Sequence, residues 1–212
     1  MSRPVTVLDY GIGNLLNVVR ALEHCGAAVT VRERGNACMA GIERLVLPGV
    51  GAFGDGMAEL SARGLDDLVK GFALTGRPIL GICVGLQMMF EASEEMGEHA
   101  GLGLLPGRVK AVPARGTDGQ RHRIPHIGWR ALESATQWRG TILADVPPGE
   151  RVYFVHSFAA EPAQASDRLA DVHYDGVRIC AAAYRDNLYG CQFHPERSAS
   201  TGLSVLRRFL AL

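Results

Sequence analysis

A short segment in the first half of the chain, Gly81-Ile-Cys83-Val-Gly85, places a cysteine where one apolar pattern changes into another. Residues 78–82 form an apolar run typical of a buried strand, and residues 84–91 have the spacing of an amphipathic helix, with Leu86, Met89 and Phe90 on its apolar face. Glycines on both sides of Cys83 allow the close backbone approach that a sharp turn requires. The pattern predicts a strand-turn-helix elbow that presents Cys83 as a nucleophile, with the helix N-terminus favouring negative charge on the sulfur. A buried core cysteine is the alternative that this segment alone leaves open.

Composition and charge argue against several classes of protein. The chain has 212 residues with 22 basic and 22 acidic side chains, so it has no net charge and no basic block of the kind that binds nucleic acid. It contains no apolar run of about 18 residues, so no membrane span is expected. The N-terminal residues lack a signal-peptide pattern, which favours a cytoplasmic location. The length predicts a single domain that covers residues 1–212.

The cysteines do not form a recognisable framework. There are five, an odd number, at wide spacings and without a C-x-x-C pair: Cys25, Cys38, Cys83, Cys180 and Cys191. This pattern argues against a set of disulfides and against a zinc site. We expect Cys25 and Cys38 near the ends of elements, and Cys180 and Cys191 in core strands.

Strand-like and helix-like segments alternate in the first half of the chain. Predicted strands cover 5–9, 27–31, 44–47 and 78–82, and predicted helices cover 15–25, 53–63 and 65–74. This alternation is typical of a parallel sheet with right-handed crossovers. The polar stretch 91–105 is interpreted as a surface excursion. Short strands follow at 108–112, 129–132, 152–155, 169–174, 177–184 and 188–192, with a hairpin turn at Asp175-Gly176, before a last helix at 198–211.

A candidate base for the cysteine lies near the end of the chain, in His194-Pro195-Glu196. Proline at 195 disfavours helical geometry at His194, and residues two apart in an extended segment point the same way. Glu196 could therefore bind one imidazole nitrogen while the other faces a thiol, as in a catalytic triad. Ser198 is a plausible N-cap for the last helix.

A glycine-rich loop, Pro48-Gly49-Val50-Gly51, follows the third predicted strand. It is either an ordinary turn or a loop whose backbone N–H groups stabilise an oxyanion. Glycines on both sides of Val50 leave the adjoining peptides free to rotate.

These motifs together resemble a known family. Residues 81–87 and 192–196 are similar to the nucleophile and His-Pro-Glu motifs of the class I, or triad, glutamine amidotransferases. Residues 9–14, 47–53, 125–129 and 153–158 further resemble the glutaminase subunits of imidazole glycerol phosphate synthase, in histidine biosynthesis. The resemblance extends over nearly the whole chain. It departs from the family pattern at Arg130, where an asparagine usually follows the tryptophan, and this residue bears on the interface contacts.

The resemblance implies a fold and a reaction. The fold is α/β, an open mixed sheet flanked by helices with a small second sheet in the C-terminal half. The activity is hydrolysis of glutamine to glutamate and ammonia by Cys83, His194 and Glu196, without a metal or organic cofactor. The ammonia passes to a barrel-shaped cyclase subunit in a heterodimer, which makes imidazole glycerol phosphate and an aminoimidazole carboxamide ribonucleotide.

The resemblance also assigns residues around the triad. The backbone N–H groups of Val50 and Val84 would form the oxyanion hole. Glutamine binding falls on Gly51, Gln87 and Ser157, and the interface with the cyclase on Asn14 and Trp129.

Three alternatives remain at this stage. One is the glutaminase subunit of another class I amidotransferase, of the anthranilate or pyridoxal phosphate synthase type. Another is a hydrolase or peptidase of related α/β design with a Cys-His-Glu site. The third is a catalytically inactive regulatory subunit, against which the intact cysteine, histidine and glutamate argue.

Overall fold

A mixed eight-stranded sheet forms the centre of the protein. The computed structural model describes residues 3–35 and 39–212. The strands of this sheet, in spatial order, are β2 (Ala27–Arg32), β1 (Arg3–Leu8), β3 (Leu45–Gly49), β4 (Ile79–Cys83), β14 (Leu188–Cys191), β13 (Val177–Arg185), β12 (Arg168–Tyr174) and β9 (Glu133–Ser134). Neighbours from β2 to β14 are parallel, and those from β14 to β9 are antiparallel. The expected mixed sheet is therefore confirmed.

The helices are α1 (Leu15–His24), α2 (Phe53–Ala62), α3 (Leu65–Ala73), α4 (Val84–Met88) and α5 (Ala199–Ala211). They bury apolar side chains, including Val18 and Leu22 of α1 and Leu206 and Phe209 of α5. Helix α1 contacts α5, whereas α2 contacts α3 and α4. Apart from the elbow helix, the predicted strands and helices begin and end within three residues of the observed ones.

The elbow helix is shorter than predicted, and the segment after it is not a simple surface excursion. Helix α4 ends at Met88, and the chain then forms β5 (Phe90–Ser93) and β6 (His99–Ala100). These strands join β7 (Leu105–Ala111) and β11 (Phe158–Pro162) in a four-stranded sheet of order β11-β7-β5-β6. The prediction that Phe90 is helical was wrong. This fully buried residue belongs to a strand that pairs with β7.

Two further strands complete the second half. Strands β8 (His126–Ala131) and β10 (Arg151–His156) form an antiparallel pair in which His126 lies opposite His156. The predicted hairpin turn joins β12 to β13, with positive φ at Asp175 (48°) and Gly176 (81°).

Ser198 lies at the predicted N-cap position of α5, but the predicted side-chain cap is absent. Its hydroxyl donates to the carbonyl of His194 at 2.6 Å and accepts from the Tyr153 N–H at 2.9 Å. The cysteines described, Cys25, Cys83, Cys180 and Cys191, are free thiols, and Cys38 lies outside the described residues. None of the helices within the described ranges is long and apolar enough to cross a membrane.

The order of the central strands brings the predicted site together. Strand β14 lies beside β4 with Cys191 opposite Ile82. The residues that follow these two, Gln192 and Cys83, therefore lie at the same edge of the sheet. On the other side of β4, Gly49 lies opposite Cys83. The predicted nucleophile, the His-Pro-Glu segment and the glycine-rich loop therefore meet at the carboxyl ends of adjacent parallel strands, where ligands bind in open α/β sheets.

Candidate active site

Cys83 has the backbone conformation of a strained elbow. Its φ is 55° and its ψ is −112°, a combination that costs a non-glycine residue about 1–3 kcal/mol. Close packing holds it there. A Cβ on Gly85 would lie 1.8 Å from the Leu47 carbonyl oxygen, and one on Gly81 would lie 2.7 Å from the Leu86 backbone. The flanking glycines are thus required by the approach of strand and helix, as the sequence predicts.

His194 and Glu196 form a buried pair next to the cysteine. His194 is extended (φ −98°, ψ 98°), and its Nδ1 donates to Oε1 of Glu196 at 2.8 Å. The predicted extended segment ends at His194, because Pro195–Arg197 form a short 3-10 helix, so Glu196 reaches the imidazole across a turn and not along a strand. Among the residues that the structure describes, its buried Nε2 has no hydrogen bond of ordinary geometry, although both hydrogen bonding and charge from Cys83 favour the protonated ring. Burial opposes a charge on the imidazole, but Cys83 and Glu196 outweigh burial and raise the pKa of His194 to about 10. The imidazole is therefore protonated at neutral pH, and it faces the sulfur as a cation.

Asn14 extends this network to the first loop. Its Nδ2 donates to Oε1 of Glu196 at 3.2 Å, and its Oδ1 accepts from Nδ2 of Asn17 at 2.6 Å. The sequence assigned Asn14 to an interface with a partner, an assignment that stays a prediction. Contact with the carboxylate was not foreseen because loop and carboxylate lie at opposite ends of the chain.

Two buried glutamines fix the other side of the sulfur. Gln87 donates through Nε2 to the Phe158 carbonyl at 2.8 Å and to Oε1 of Gln192 at 3.1 Å. Gln192 then directs its own Nε2 at Sγ of Cys83, 3.7 Å away. The amide nitrogen of Gln87 is thereby fully used, which leaves its carbonyl oxygen for a ligand. Gln192 was not singled out from the sequence, although it lies two residues before His194.

A cavity of about 270 Å³ opens at the sulfur. Its walls include all the predicted oxyanion and substrate residues, together with Cys83 and His194: Val50, Gly51, Val84, Gln87 and Ser157. Glu196, Asn14 and Trp129 are not part of the lining. This volume is below the ~300–1,000 Å³ of pockets for drug-sized ligands, so the cavity suits a small ligand such as an amino acid.

Glu95 is a cavity residue that sequence reasoning missed. Its Oε2 accepts from the Phe53 N–H, at the start of α2, at 2.7 Å, and the residue belongs to the cavity lining, as do Gly51 and Gln87. The residue lies in the stretch interpreted as a surface excursion, where a run of glutamates suggested only solvation. Among the described residues that line the cavity, it is the one with a carboxylate. Among residues 3–35 and 39–212, no group of three or more His, Cys, Asp or Glu side chains could hold a metal ion.

The two predicted oxyanion donors border the cavity from different elements. Val84 is the first residue of α4, where a backbone N–H has no partner within the helix. Val50 follows the last residue of β3. Its neighbour Gly49 is tightly packed, because a Cβ there would lie 2.6 Å from the Gly85 nitrogen and 2.8 Å from the Tyr10 hydroxyl.

His156, which lines the cavity, forms a pair of neutral histidines with His126. Nδ1 of His126 lies 2.9 Å from Nε2 of His156, and Nδ1 of His156 lies 2.9 Å from the Phe158 carbonyl oxygen. Because the carbonyl can only accept, His156 carries its proton on Nδ1 and accepts from His126 through Nε2. Burial lowers the pKa of His156 to about 3 and that of His126 to about 4, and the charge of neighbouring groups adds to the effect.

Solved structures of low sequence identity share the fold. A structure described as PurLQS from Thermotoga maritima superposes with a TM-score of 0.74 at 21% identity, covering 100% of this chain and 99% of that chain. A second, described as a glutamine amidotransferase, has a TM-score of 0.72 at 18% identity and covers 98% of this chain and 97% of its own.

Sequence relatives are much more similar. The family model for class-I glutamine amidotransferases matches residues 6–212. The chain is 50% identical over 211 residues to the imidazole glycerol phosphate synthase subunit HisH 1 of Legionella pneumophila (strain Lens), covering 98% of this chain and 99% of that one. It is 41% identical over 208 residues to subunit HisH of Geobacillus thermodenitrificans, covering 98% and 95%. The chain therefore belongs to the class-I glutamine amidotransferase family, in the branch of the HisH subunits of imidazole glycerol phosphate synthase.

Proposed function

We propose that this chain is the glutaminase subunit of an imidazole glycerol phosphate synthase. It hydrolyses glutamine with Cys83, His194 and Glu196 and delivers ammonia to a cyclase subunit in histidine biosynthesis. The observation that carries the proposal is the strained Cys83 elbow, beside a His194-Glu196 pair joined at 2.8 Å, in one small cavity. The HisH names of relatives as similar as 50% identical support the choice of this member over other class I amidotransferases.

In the first half of the reaction, the Cys83 thiolate attacks the side-chain amide carbon of glutamine and a C–S bond forms. The carbonyl oxygen becomes an oxyanion, to which the N–H groups of Val84 and Val50 donate. The His194 imidazolium gives its Nε2 proton to the amide nitrogen, the C–N bond breaks and ammonia leaves. Glu196 keeps the imidazole oriented through Nδ1 and stabilises its positive charge.

In the second half, the neutral His194 takes a proton from water, and the hydroxide attacks the thioester carbon. The C–S bond breaks, and the sulfur leaves as a thiolate beside the imidazolium. Glutamate is released, and the site returns to its initial protonation state. The same two N–H groups stabilise the second oxyanion, so one hole serves both steps.

Glu95 and Gln87 provide recognition of the amino-acid end. A carboxylate in a small cavity is the natural partner of the α-ammonium group of glutamine. Oε2 of Glu95 is held by the Phe53 N–H, so the carboxylate presents its other oxygen in a fixed direction. Gln87 accepts through its free carbonyl oxygen, and Gly51 and Ser157 complete the binding site.

The docking surface for the cyclase lies on the side of the triad network that faces solvent. Leu16 is 59% exposed, Ile127 48% and Trp129 40%, which is unusual for large apolar side chains. Leu16 follows the loop of Asn14, and Ile127 and Trp129 project from the same face of β8. Trp129 also packs edge-on against Tyr153 at 6.1 Å, and the guanidinium of Arg197 lies 4.6 Å above the Tyr153 ring. In place of the usual asparagine, Arg130 lies over the Tyr174 ring at 5.2 Å.

The test combines the chain with the cyclase subunit of the same organism. Glutamate release is measured for the isolated chain, for the complex, and for the complex with Cys191→Ser as a control that alters a buried thiol outside the cavity. We expect a low rate alone, a strong increase in kcat in the complex, and a normal rate in the control. A complex that forms but releases no glutamate from glutamine would overturn the proposal.

A further inference from the structure

Tyr10 is a buried phenol at the edge of the site, and the mechanism above does not use it. It follows the end of β1 and is only 1% exposed. Its hydroxyl donates to the carbonyl oxygen of Pro48, in β3, at 2.6 Å. Strands β1 and β3 are parallel, and Val7 lies opposite Val46. If both strands are continued in this register, Tyr10 comes level with Gly49.

The Pro48 carbonyl, which accepts this hydrogen bond, lies one peptide before the Val50 N–H. It belongs to the Pro48–Gly49 peptide, and the next peptide, Gly49–Val50, carries the N–H assigned to the oxyanion hole. The proline ring fixes φ at Pro48, and Tyr10 fixes the carbonyl that follows. The Pro48–Gly49 peptide is therefore restrained at both ends. Only the rotations at Gly49 separate it from the Val50 N–H.

Glycine at 49 explains why an external anchor is needed. Gly49 has no side chain that could pack and define the peptide plane, and no side chain would fit. A Cβ at this position would lie 2.8 Å from the Tyr10 hydroxyl oxygen and 2.9 Å from Cβ of Val84. The phenol thus occupies the space that a side chain would fill, and it supplies from outside the restraint that the glycine lacks.

The hydroxyl is a permanent donor. Burial raises the pKa of Tyr10 well above its usual value of 10, and the negative charges of Cys83 and then Asp9 raise it further. The phenol therefore keeps its proton throughout the working range of the enzyme.

We propose that Tyr10 is a positioning residue for the oxyanion hole, and that it acts through the Pro48 carbonyl to hold the Gly49–Val50 peptide at the distance from which Val50 N–H can donate. The inference rests on the proposed glutaminase function, because only a tetrahedral intermediate requires that donor. Oxyanion donors work at 2.7–3.1 Å from the oxygen, so a small displacement of β3 weakens the interaction. The effect belongs to the transition state and leaves the binding of glutamine unchanged.

The first experiment compares Tyr10→Phe with the wild type in the complex with the cyclase. Loss of a complete oxyanion donor lowers kcat about 10²–10³-fold. For a displaced donor we expect about a tenfold loss of kcat with KM within twofold. Tyr174→Phe is the matched control, since its hydroxyl also donates to a backbone carbonyl, that of Arg123, at 2.6 Å but outside the cavity lining. The control should keep a normal kcat.

The second experiment separates the oxyanion hole from the nucleophile. An aldehyde analogue, L-glutamate γ-semialdehyde, adds the Cys83 sulfur to its carbonyl carbon and forms an oxyanion, whereas alkylation of Cys83 by iodoacetamide forms none. In Tyr10→Phe the affinity for the aldehyde should fall by the same factor as kcat, and the alkylation rate should stay within twofold. Equal losses in alkylation and kcat would place the defect at the thiol and overturn the inference.

Three further outcomes are decisive. A normal kcat in Tyr10→Phe, with an active wild type, would overturn this inference alone. An inactive wild-type complex would overturn the proposed function and the inference with it. Tyr10→Met, which fills much of the same volume without a hydroxyl, is the second variant; failure of both variants to fold would assign Tyr10 to stability instead of positioning.

Discussion

The side-chain amide of Asn14 donates a 3.2 Å hydrogen bond to the carboxylate of Glu196, although 182 residues separate them in the sequence. Glu196 in turn holds the imidazole of His194 at 2.8 Å. A residue on a loop that borders the exposed apolar side chains is therefore only two contacts away from His194, the proposed base.

Asn14→Ala is expected to impair chemistry as well as coupling. Without the amide, one carboxylate oxygen of Glu196 loses a donor and the carboxylate can rotate away from His194. We expect kcat to fall about tenfold even in the isolated chain, a loss of roughly 1.4 kcal/mol in transition-state stabilisation. Trp129→Ala is the comparison, because that side chain lies outside the cavity lining and should reduce only the stimulation by the cyclase. A normal basal rate in Asn14→Ala would restrict the residue to the interface.

Glu196→Gln should shift the basic limb of the pH–rate profile to lower pH. The carboxylate is one of the groups that raise the pKa of His194 to about 10, so its neutralisation lets the imidazolium lose its proton earlier. The measurement is kcat/KM for glutamine between pH 6 and pH 10. His194→Ala should lose more activity at every pH, since His156, the other imidazole of the cavity lining, has a pKa of about 3 and stays neutral. An unchanged basic limb in Glu196→Gln would argue against the assigned pair.

Cys83→Gly should be more stable than Cys83→Ala, while both lack activity. Alanine keeps the Cβ that makes φ of 55° unfavourable, and glycine removes it. The released strain of about 1–3 kcal/mol exceeds the roughly 0.5–1 kcal/mol that glycine loses in chain entropy. Urea unfolding of the two variants at pH 7.5 measures the difference, expected at about 1 kcal/mol. Equal stability would mean that the elbow carries no strain.

Gly85→Ala should be among the most destabilising single changes in the protein. The new methyl would lie 1.8 Å from the Leu47 carbonyl oxygen, and this atom belongs to the backbone of β3, which cannot move aside like a flexible side chain. We expect a loss of about 3 kcal/mol or more in the free energy of unfolding. Gly76→Ala is the control, because its φ of 73° is strained but open space surrounds the site, so only about 1 kcal/mol should be lost.

Acid should destabilise the protein through His156 and His126. Their folded-state pKa values of about 3 and 4 lie below the unfolded value near 6.5, so the unfolded chain takes up protons first. The stabilisation is complete above pH 6.5 and is lost as pH falls towards 4. His194 has the opposite sign: its contribution is present below pH 6.5 and is lost as pH rises through about 10.

The measurement is the free energy of unfolding in urea at several pH values between 7 and 4. His156→Gln replaces a titratable side chain by a neutral one, so its stability should fall less steeply over this range. A wild-type slope no steeper than that of the variant would show that the histidine pair does not titrate on unfolding.

Local sequence patterns predicted much of the fold and the central residues of the site. Apolar periodicity predicted the order of strands and helices up to Cys83, and proline at 195 correctly predicted the extended backbone of His194. The pattern failed at Phe90, because a buried aromatic residue suits a short helix and a short strand equally well. Only pairing with β7, far along the chain, decides between them.

Residues that act through distant contacts left no local signal. Glu95 is one glutamate among several, and its role follows from the position of the Phe53 N–H. Gln192 and Tyr10 have partners at Cys83 and Pro48 that the sequence alone could not pair. Motif similarity located the cavity lining, whereas the supporting hydrogen bonds required the three-dimensional structure.

The direct pairing of β4 with β14 has a consequence for the lifetime of the site. Gly81 lies opposite Gly190 and Ile82 opposite Cys191, so the strands that carry the nucleophile and the base share one ladder of hydrogen bonds in the middle of the main sheet. Amide protons there exchange with solvent only when the sheet itself opens. The geometry between Cys83 and His194 should therefore persist through the breathing of the outer loops, so any adjustment of the glycine-rich loop would leave the proposed catalytic pair in place.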